Sequence, residues 1–485
     1  MNVLYRKRHV LALASAGLLL TGTVIFNQAC SPQADTKEAG TKEVATGTET
    51  MKMKALPPGK MLPRFPDFGH DHLPAPGSYT GRLFKLSQDF PAERPEMEPA
   101  VKNILALDVE KDWKAYMMAV RDYVFEGNIE HNGVANDFYL EDNKVRRWYH
   151  VPWQHYGDAG REGIHGLTKE GPVNPFVLTP MQKDTFQTYA VGFYNAPGGY
   201  MIGKTWADAE NPDISVMQSE GFPEGTVVGK VLFTTAPAAE VPYLENGIEW
   251  DAYITPSYKK NKPRLMGKVR FIQMDIMVRD SRVQSTGGWV FGTFVYNGAL
   301  KNENPWHNVV PVGVMWGNDP TVTENISNSA PTKTEINPNL KQTIINTASE
   351  MPAMHLGWGL RLNGPVDNTM SSCMSCHSTA QFPAISPILP AMAKLQPTEP
   401  GWMRWFRNVP CAKPFDAQAT SSDYSLQLSA SIQNFLIARS VANGGAYNIQ
   451  YWRGEAIQPI LGLRGSEPAQ QRSETKKLQL LMRKP

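Results

Sequence analysis

The stretch "GKVRFIQMDIMVRD", Gly267–Asp280, decides the fold. Ile272, Met274, Ile276 and Val278 fall on one face, while Gln273, Asp275 and Arg279 fall on the other. Alternation of this kind marks a strand with one face against a core. Three further runs read as its neighbours: "GTVVGKVLFTT" (Gly225–Thr235), "GGWVFGTFVYNG" (Gly287–Gly298) and "NVVPVGVMWGN" (Asn308–Asn318). The second of these is apolar on both faces, so it is expected at the centre of the sheet. Turn residues separate the runs, which makes an antiparallel sheet the economical arrangement.

Helical patterning lies on either side. In "VEKDWKAYMMAVRDYVFEG", Val109–Gly127, the residues Trp113, Tyr116, Met117, Val120 and Val124 recur at helical spacing. Asp108 is the expected N-cap and Gly127 the expected stop. Downstream, "PAMAKLQPTEPGWMRWFRN" and "DYSLQLSASIQNFLIARSV" both read as helical, the latter through Leu426, Ile432, Phe435 and Leu436. The fold class expected is α+β: a central antiparallel sheet domain, an N-terminal helix and loop region, and a C-terminal helical segment. The boundaries expected are 63–175 for the N-terminal region, 176–360 for the β-rich domain, 361–447 for the C-terminal segment and 448–485 for a tail. A chain of 485 residues fits two or three such domains.

The N-terminus reads as a targeting segment. Arg6, Lys7 and Arg8 precede an apolar run from Val10 to Phe26, and "NQAC" ends at Cys30. Residues 1–29 are therefore expected to be a secretory signal, with Cys30 as the lipidated cysteine of a bacterial lipoprotein. An ordinary cleaved signal or an uncleaved anchor is the alternative. Removing those three basic residues leaves 45 basic against 46 acidic side chains, so no basic excess suggests a nucleic-acid partner. Residues 30–62 are polar and read as a disordered tether. The location expected is the periplasmic face of the membrane, or the periplasm or exterior if Cys30 carries no lipid.

The chemistry sits in "NTMSSCMSCHSTAQFP", Asn368–Pro383. Cys373, Cys376 and His377 form C-x-x-C-H, the attachment signature for one covalent c-type haem. Each thiol adds across one vinyl group. Two intervening residues let both sulfurs reach from one turn of backbone, and the next side chain, His377, becomes the proximal iron ligand. A thiol redox pair needs no histidine there. A zinc site needs four ligands, and beyond Cys411 a second ligand pair is missing. Cys411 reads as a buried inert thiol. Candidates for a sixth iron ligand are Met370, Met392, Met403 and His355, with Met354 beside the last.

The loop Arg146–Pro172 carries His150, His155 and His165 among aromatic residues. It reads either as a packed loop whose histidines bond backbone or as a pocket or partner surface.

C-x-x-C-H places the chain among c-type cytochromes. "FPEGTVVGK" (Phe222–Lys230), "MVRD" (Met277–Asp280) and "GGWVFG" (Gly287–Gly292) precede it in that order. In this the stretch from Gly221 to Pro383 resembles the cytochrome P-460 and cytochrome c-prime-beta family. The resemblance implies an antiparallel sheet domain closed by its haem signature, a five-coordinate haem, and hydroxylamine oxidation or nitric oxide binding. It also implies that Lys230 lies where the enzyme branch crosslinks a lysine to the haem.

Three functions remain open on the sequence. The first is a membrane-tethered electron carrier with redox partner proteins in the cell envelope, served by a compact cytochrome c fold over Asn363–Val441. The second is a haem-dependent oxidoreductase or gas-binding protein for a small nitrogen or oxygen species, with an apolar pocket lined by Phe222, Trp289 and Phe291. The third is a haem-bearing lipoprotein scaffold.

Overall fold

The computed structural model describes residues 72–129, 138–156, 159–255, 263–319, 333–338, 340 and 356–442. Cys30, Met354, His355 and the tail 448–485 lie outside the described residues. Among the described residues no helix is long and apolar enough to cross a membrane.

An eight-stranded antiparallel sheet organises the chain. Its strands are β1 (Thr168–Lys169), β2 (Thr188–Tyr194), β3 (Val227–Thr234), β4 (Glu249–Ile254), β5 (Leu265–Arg279), β6 (Trp289–Tyr296), β7 (Val309–Met315) and β8 (Thr334–Ile336). The order is β1-β2-β3-β5-β6-β7-β8, with β4 paired to β5 alone. All four expected strands are present, and β6 is central and buried at every position. β2 carries no alternation because it too is buried throughout.

The two faces of the sheet meet different layers. Helices α1 (Pro99–Ala106) and α2 (Trp113–Phe125) cover one face, packing Tyr116, Met117, Val120 and Val124 with Val227, Ile276, Val278 and Phe294. Helix α2 begins at Trp113, so the N-cap position is Asp112 rather than Asp108. Asp108 instead closes the preceding turn, where its carboxylate accepts from the Glu110 and Lys111 N–H groups. Gly127 ends the turn beyond the helix at φ +77°. Trp306, fully buried, sits at the aromatic centre of this layer, with its ring centroid 5.4 Å from Phe125, 5.0 Å from Phe138 and 5.3 Å from Phe271.

Val228, Met277, Trp289, Phe291 and Met315 line the opposite face. Against them pack α3 (Ala196–Thr205), α4 (Val216–Glu220), the one-turn α5 (Cys373–His377) and α6 (Leu426–Ala442). In α6 the residues that reach the core are Leu428, Ile432 and Phe435, while Leu426 and Leu436 are half-buried. The helix comes so close to β2 that a Cβ on Gly192 would meet the Gln427 side chain at 1.9 Å.

"PAMAKLQPTEPGWMRWFRN" departs from the expected helix. It forms two short 3-10 turns, Pro390–Ala393 and Trp402–Phe406. Pro397 and Pro400 supply no backbone N–H, and Gly401 takes φ +92°, so a continuous helix cannot run through. The small strands β9 (Gln381–Phe382) and β10 (Thr420–Ser421) tie the segment after α5 to the start of α6. Residues Asn363–Val441 share one apolar cluster with the sheet rather than closing a helical core of their own.

Truncating Trp306→Ala should cost about 3–5 kcal/mol, the range for a fully buried Trp or Phe cut to Ala. Leu300→Ala, at a side chain 47% exposed, should stay within about 0.5 kcal/mol. Denaturant midpoints at unchanged slope check both; similar midpoints for the two variants would contradict the core assignment.

Candidate functional site

C-x-x-C-H is a single helical turn with its own cap. Ser372 Oγ accepts from the Ser375 N–H at 3.1 Å, and Ser375 Oγ accepts from the Ser372 N–H at 2.7 Å. This reciprocal capping box stabilises a helix too short to form alone. Met374 and Ser375 are fully buried and anchor the turn in the apolar cluster. Cys373, Cys376 and His377 keep some accessible surface. Cysteines three residues apart share a helix face.

The turn lies against a polar row that crosses the otherwise apolar sheet face. Lys230 of β3 is registered with Asp275 of β5, and Asp275 with Thr293 of β6. Thr293 Oγ1 donates to Asp275 Oδ1 at 2.9 Å and lies 3.9 Å from Cys373 Sγ. The Gln273 amide bridges Asp275, at 2.8 Å, and Asp367 Oδ2, at 3.0 Å. Lys230 Nζ sits 3.3 Å from Glu170. Burial opposes the charge on Lys230, but Glu170, Asp275 and Asp367 overcome it and raise its pKa. Burial and the neighbouring Asp367 push the Asp275 carboxyl up to about 7, against the pull of Lys230. Lys230, partly exposed, is thus a held cation facing an acidic pair.

His377 is neutral and oriented. Burial depresses it to about 4, although the Tyr424 carbonyl works the other way. Its Nδ1 lies 2.8 Å from that carbonyl oxygen. A carbonyl only accepts, so Nδ1 carries the hydrogen and Nε2 presents its lone pair. The Phe291 ring packs 5.1 Å from the imidazole. Behind it Phe222 meets Trp289 edge-on at 5.7 Å. Of the three aromatics expected to line a pocket, Phe291 is the one in ring contact with His377.

Both motif thiols are protonated. Burial pushes Cys376 up to about 12. Cys373 is also raised well above the ordinary thiol range, by burial first and then by the charges of Asp275 and Asp367. Among the described residues no cluster of three or more His, Cys, Asp or Glu could hold a metal ion. Cys411 stands elsewhere, buried, with Arg279 Nη2 donating to its sulfur at 3.0 Å.

The remaining candidates distribute as follows. Met370 is half-buried in the turn before α5, where its N–H donates to Asn368 Oδ1. Met392 is half-buried in the Pro390–Ala393 turn, and Met403 is buried in the Trp402–Phe406 turn. Of the loop histidines, His150 accepts from the Ser87 N–H at 3.3 Å, and His165 stacks on Trp250 at 4.3 Å. His155 borders the polar row, 4.0 Å from Glu170. His150 and His155 are buried and His165 is half-buried; burial lowers the pKa of each, and among the described residues they form no metal-holding group.

Sequence reasoning did not single out Asp367, Glu170, Thr293 or Tyr424. Thr293 left a signal, being the one polar side chain inside "WVFGTFVY" apart from the terminal tyrosine hydroxyl. Glu170 and Tyr424 reach the site through tertiary packing alone.

The arrangement fits the group the motif implies in two respects: two thiols on one face and a lone pair on Nε2. Comparison with known families, characterised proteins and solved structures finds no match for this chain.

Asp275 predicts a pH dependence. Its folded pKa is raised above the ordinary 3.8, so its contribution to stability is present below about pH 4 and is lost as pH rises through about 7. For an isolated group a shift of this size corresponds to a loss on the order of 4 kcal/mol. Asp275→Asn should flatten the fall in denaturation midpoint between those pH values. An identical pH profile in the variant would contradict the placement of Asp275.

Proposed function

We propose that the chain is an exported monohaem c-type cytochrome of the bacterial cell envelope. The observation that carries this reading is the His377 hydrogen bond. With Nδ1–H committed to the Tyr424 carbonyl, Nε2 is left as a neutral, oriented donor beside two protonated thiols. Cys373 and Cys376 would hold the haem as thioethers, each S–H adding across one vinyl group, and His377 would be the proximal ligand. When bound, that group supplies a one-electron couple for exchange with envelope redox partners. Phe291 shields the histidine ring from water. Tyr424 fixes its orientation. Cys30, as a lipid attachment point, would tether the chain to the membrane.

A second reading has its own support in the polar row. Lys230, Asp275 and Asp367 put a held cation and an acidic pair beside Cys373. A simple electron carrier has no need of such groups, whereas a haem-dependent oxidoreductase or gas-binding protein can use them to orient a small nitrogen or oxygen species and to supply protons. The absence of a self-contained cytochrome c unit over Asn363–Val441 also favours a haem seated on the sheet face. The resemblance to the P-460 family points the same way, with Lys230 as the lysine at the crosslinking position.

Optical spectra of the ferrous protein, matured in a host that attaches c-type haem, test both readings. Cys373→Ala with Cys376→Ala should abolish covalent haem; retention of it would end the proposal. Addition of carbon monoxide or nitric oxide should change the spectrum if the distal face is open. An unchanged spectrum would leave the six-coordinate carrier and exclude the second reading.

A further inference from the structure

The carbonyl that orients His377 belongs to one of two consecutive residues in an unfavourable backbone region. Asp423 has φ +48° and Tyr424 has φ +67°. A bulky side chain there is a steric outlier, and such strain persists only where the surroundings over-determine it. Here they do. Asp423, fully buried, accepts from the Phe222 N–H at 2.8 Å and from the Ala412 N–H at 3.1 Å. Its own N–H donates to Ser421 Oγ at 2.9 Å. Tyr424 Oη donates to the Val409 carbonyl at 2.6 Å. That hydroxyl passes a glycine, because a Cβ on Gly287 would meet it at 2.4 Å. The strained pair is thus clamped to Phe222 and to the Val409–Ala412 segment, and the Tyr424 carbonyl, 2.8 Å from His377 Nδ1, is its contact with the candidate ligand.

We infer that Asp423 is a positioning residue for the iron ligand: its carboxylate holds the strained Asp423–Tyr424 pair so that the Tyr424 carbonyl tunes the donor strength of His377. The inference rests on the haem reading of the site. A carbonyl that accepts strongly from Nδ1 gives the imidazole more anionic character, which favours ferric iron and lowers the potential. Loosening the clamp weakens that bond and raises the potential.

Three variants of the matured holoprotein test this: Asp423→Asn, Tyr424→Phe and Asp416→Asn. Asp423→Asn keeps shape but turns one acceptor into a donor facing a backbone N–H. Tyr424→Phe removes only the hydroxyl tie to Val409. Asp416→Asn is the control, since Asp416 organises Gln381, Ser386 and Arg404 in the same C-terminal segment without touching the carbonyl. Covalent haem content, midpoint potential and the iron–imidazole stretching band are read for each. Asp423→Asn should keep wild-type haem content, raise the potential and move the band to lower frequency. Tyr424→Phe should do the same to a smaller extent, and Asp416→Asn should move neither. Full haem with an unmoved potential and band in Asp423→Asn overturns the inference, as does an equal shift in Asp416→Asn. If Asp423→Asn does not accumulate, Tyr424→Phe decides by the same criteria. Wild-type protein without covalent haem overturns the haem reading, and the inference with it, so the two failures are distinguishable.

Discussion

The hydrogen bond from His377 Nδ1 to the Tyr424 carbonyl joins the two parts on which the candidate site depends. One part is the capped turn Cys373–His377, which is too short to hold its shape without the Ser372–Ser375 box and the burial of Met374. The other is the strained link into α6, clamped by Asp423. Between them they fix a ring that burial has already made neutral. A turn of five residues thereby acquires an orientation as definite as that of a residue on a long helix.

The turn rests on the sheet face, whose composition is unusual there. A face that otherwise carries Val228, Met277, Phe291 and Met315 admits Lys230, Asp275 and Thr293 in one registered row. Burying such groups costs free energy unless each finds a partner. Here Glu170 partners Lys230, while Gln273 and Thr293 partner Asp275. Asp367 arrives from the segment just before the motif, so closure of the C-terminal segment onto the sheet completes the polar cluster. Polar groups retained in an apolar face at this cost point to chemistry more than to stability.

Much of this was legible in the sequence, for definite reasons. β6 shows no alternation because both of its faces are buried, and β5 is covered on both faces too, its polar Gln273, Asp275 and Arg279 meeting partners rather than open solvent as the alternation implied. The motif residues sit together in one turn, as their spacing requires. Helix α3 was hidden by Gly198, Gly199 and Gly203, which weaken a helical pattern. The fold needs them, because Tyr194, Tyr149 and Phe90 approach so closely that added Cβ atoms would lie 2.5–2.8 Å away. The helix expected over "PAMAKLQPTEPGWMRWFRN" does not form because Pro397, Pro400 and Gly401 break a run whose apolar spacing alone is helical. Glu170, Asp367 and Tyr424 could not be placed at the site in advance, since their approach depends on register and on segment docking that no local pattern encodes.

The central claim is that Cys373, Cys376 and His377 form the attachment site for one covalent haem. Peptide-resolved mass spectrometry of the mature protein tests it most directly. The account predicts a single haem adduct on the peptide that contains both Cys373 and Cys376, with Cys411 unmodified. Both motif thiols found unmodified, joined in a disulfide or retaining zinc would contradict it.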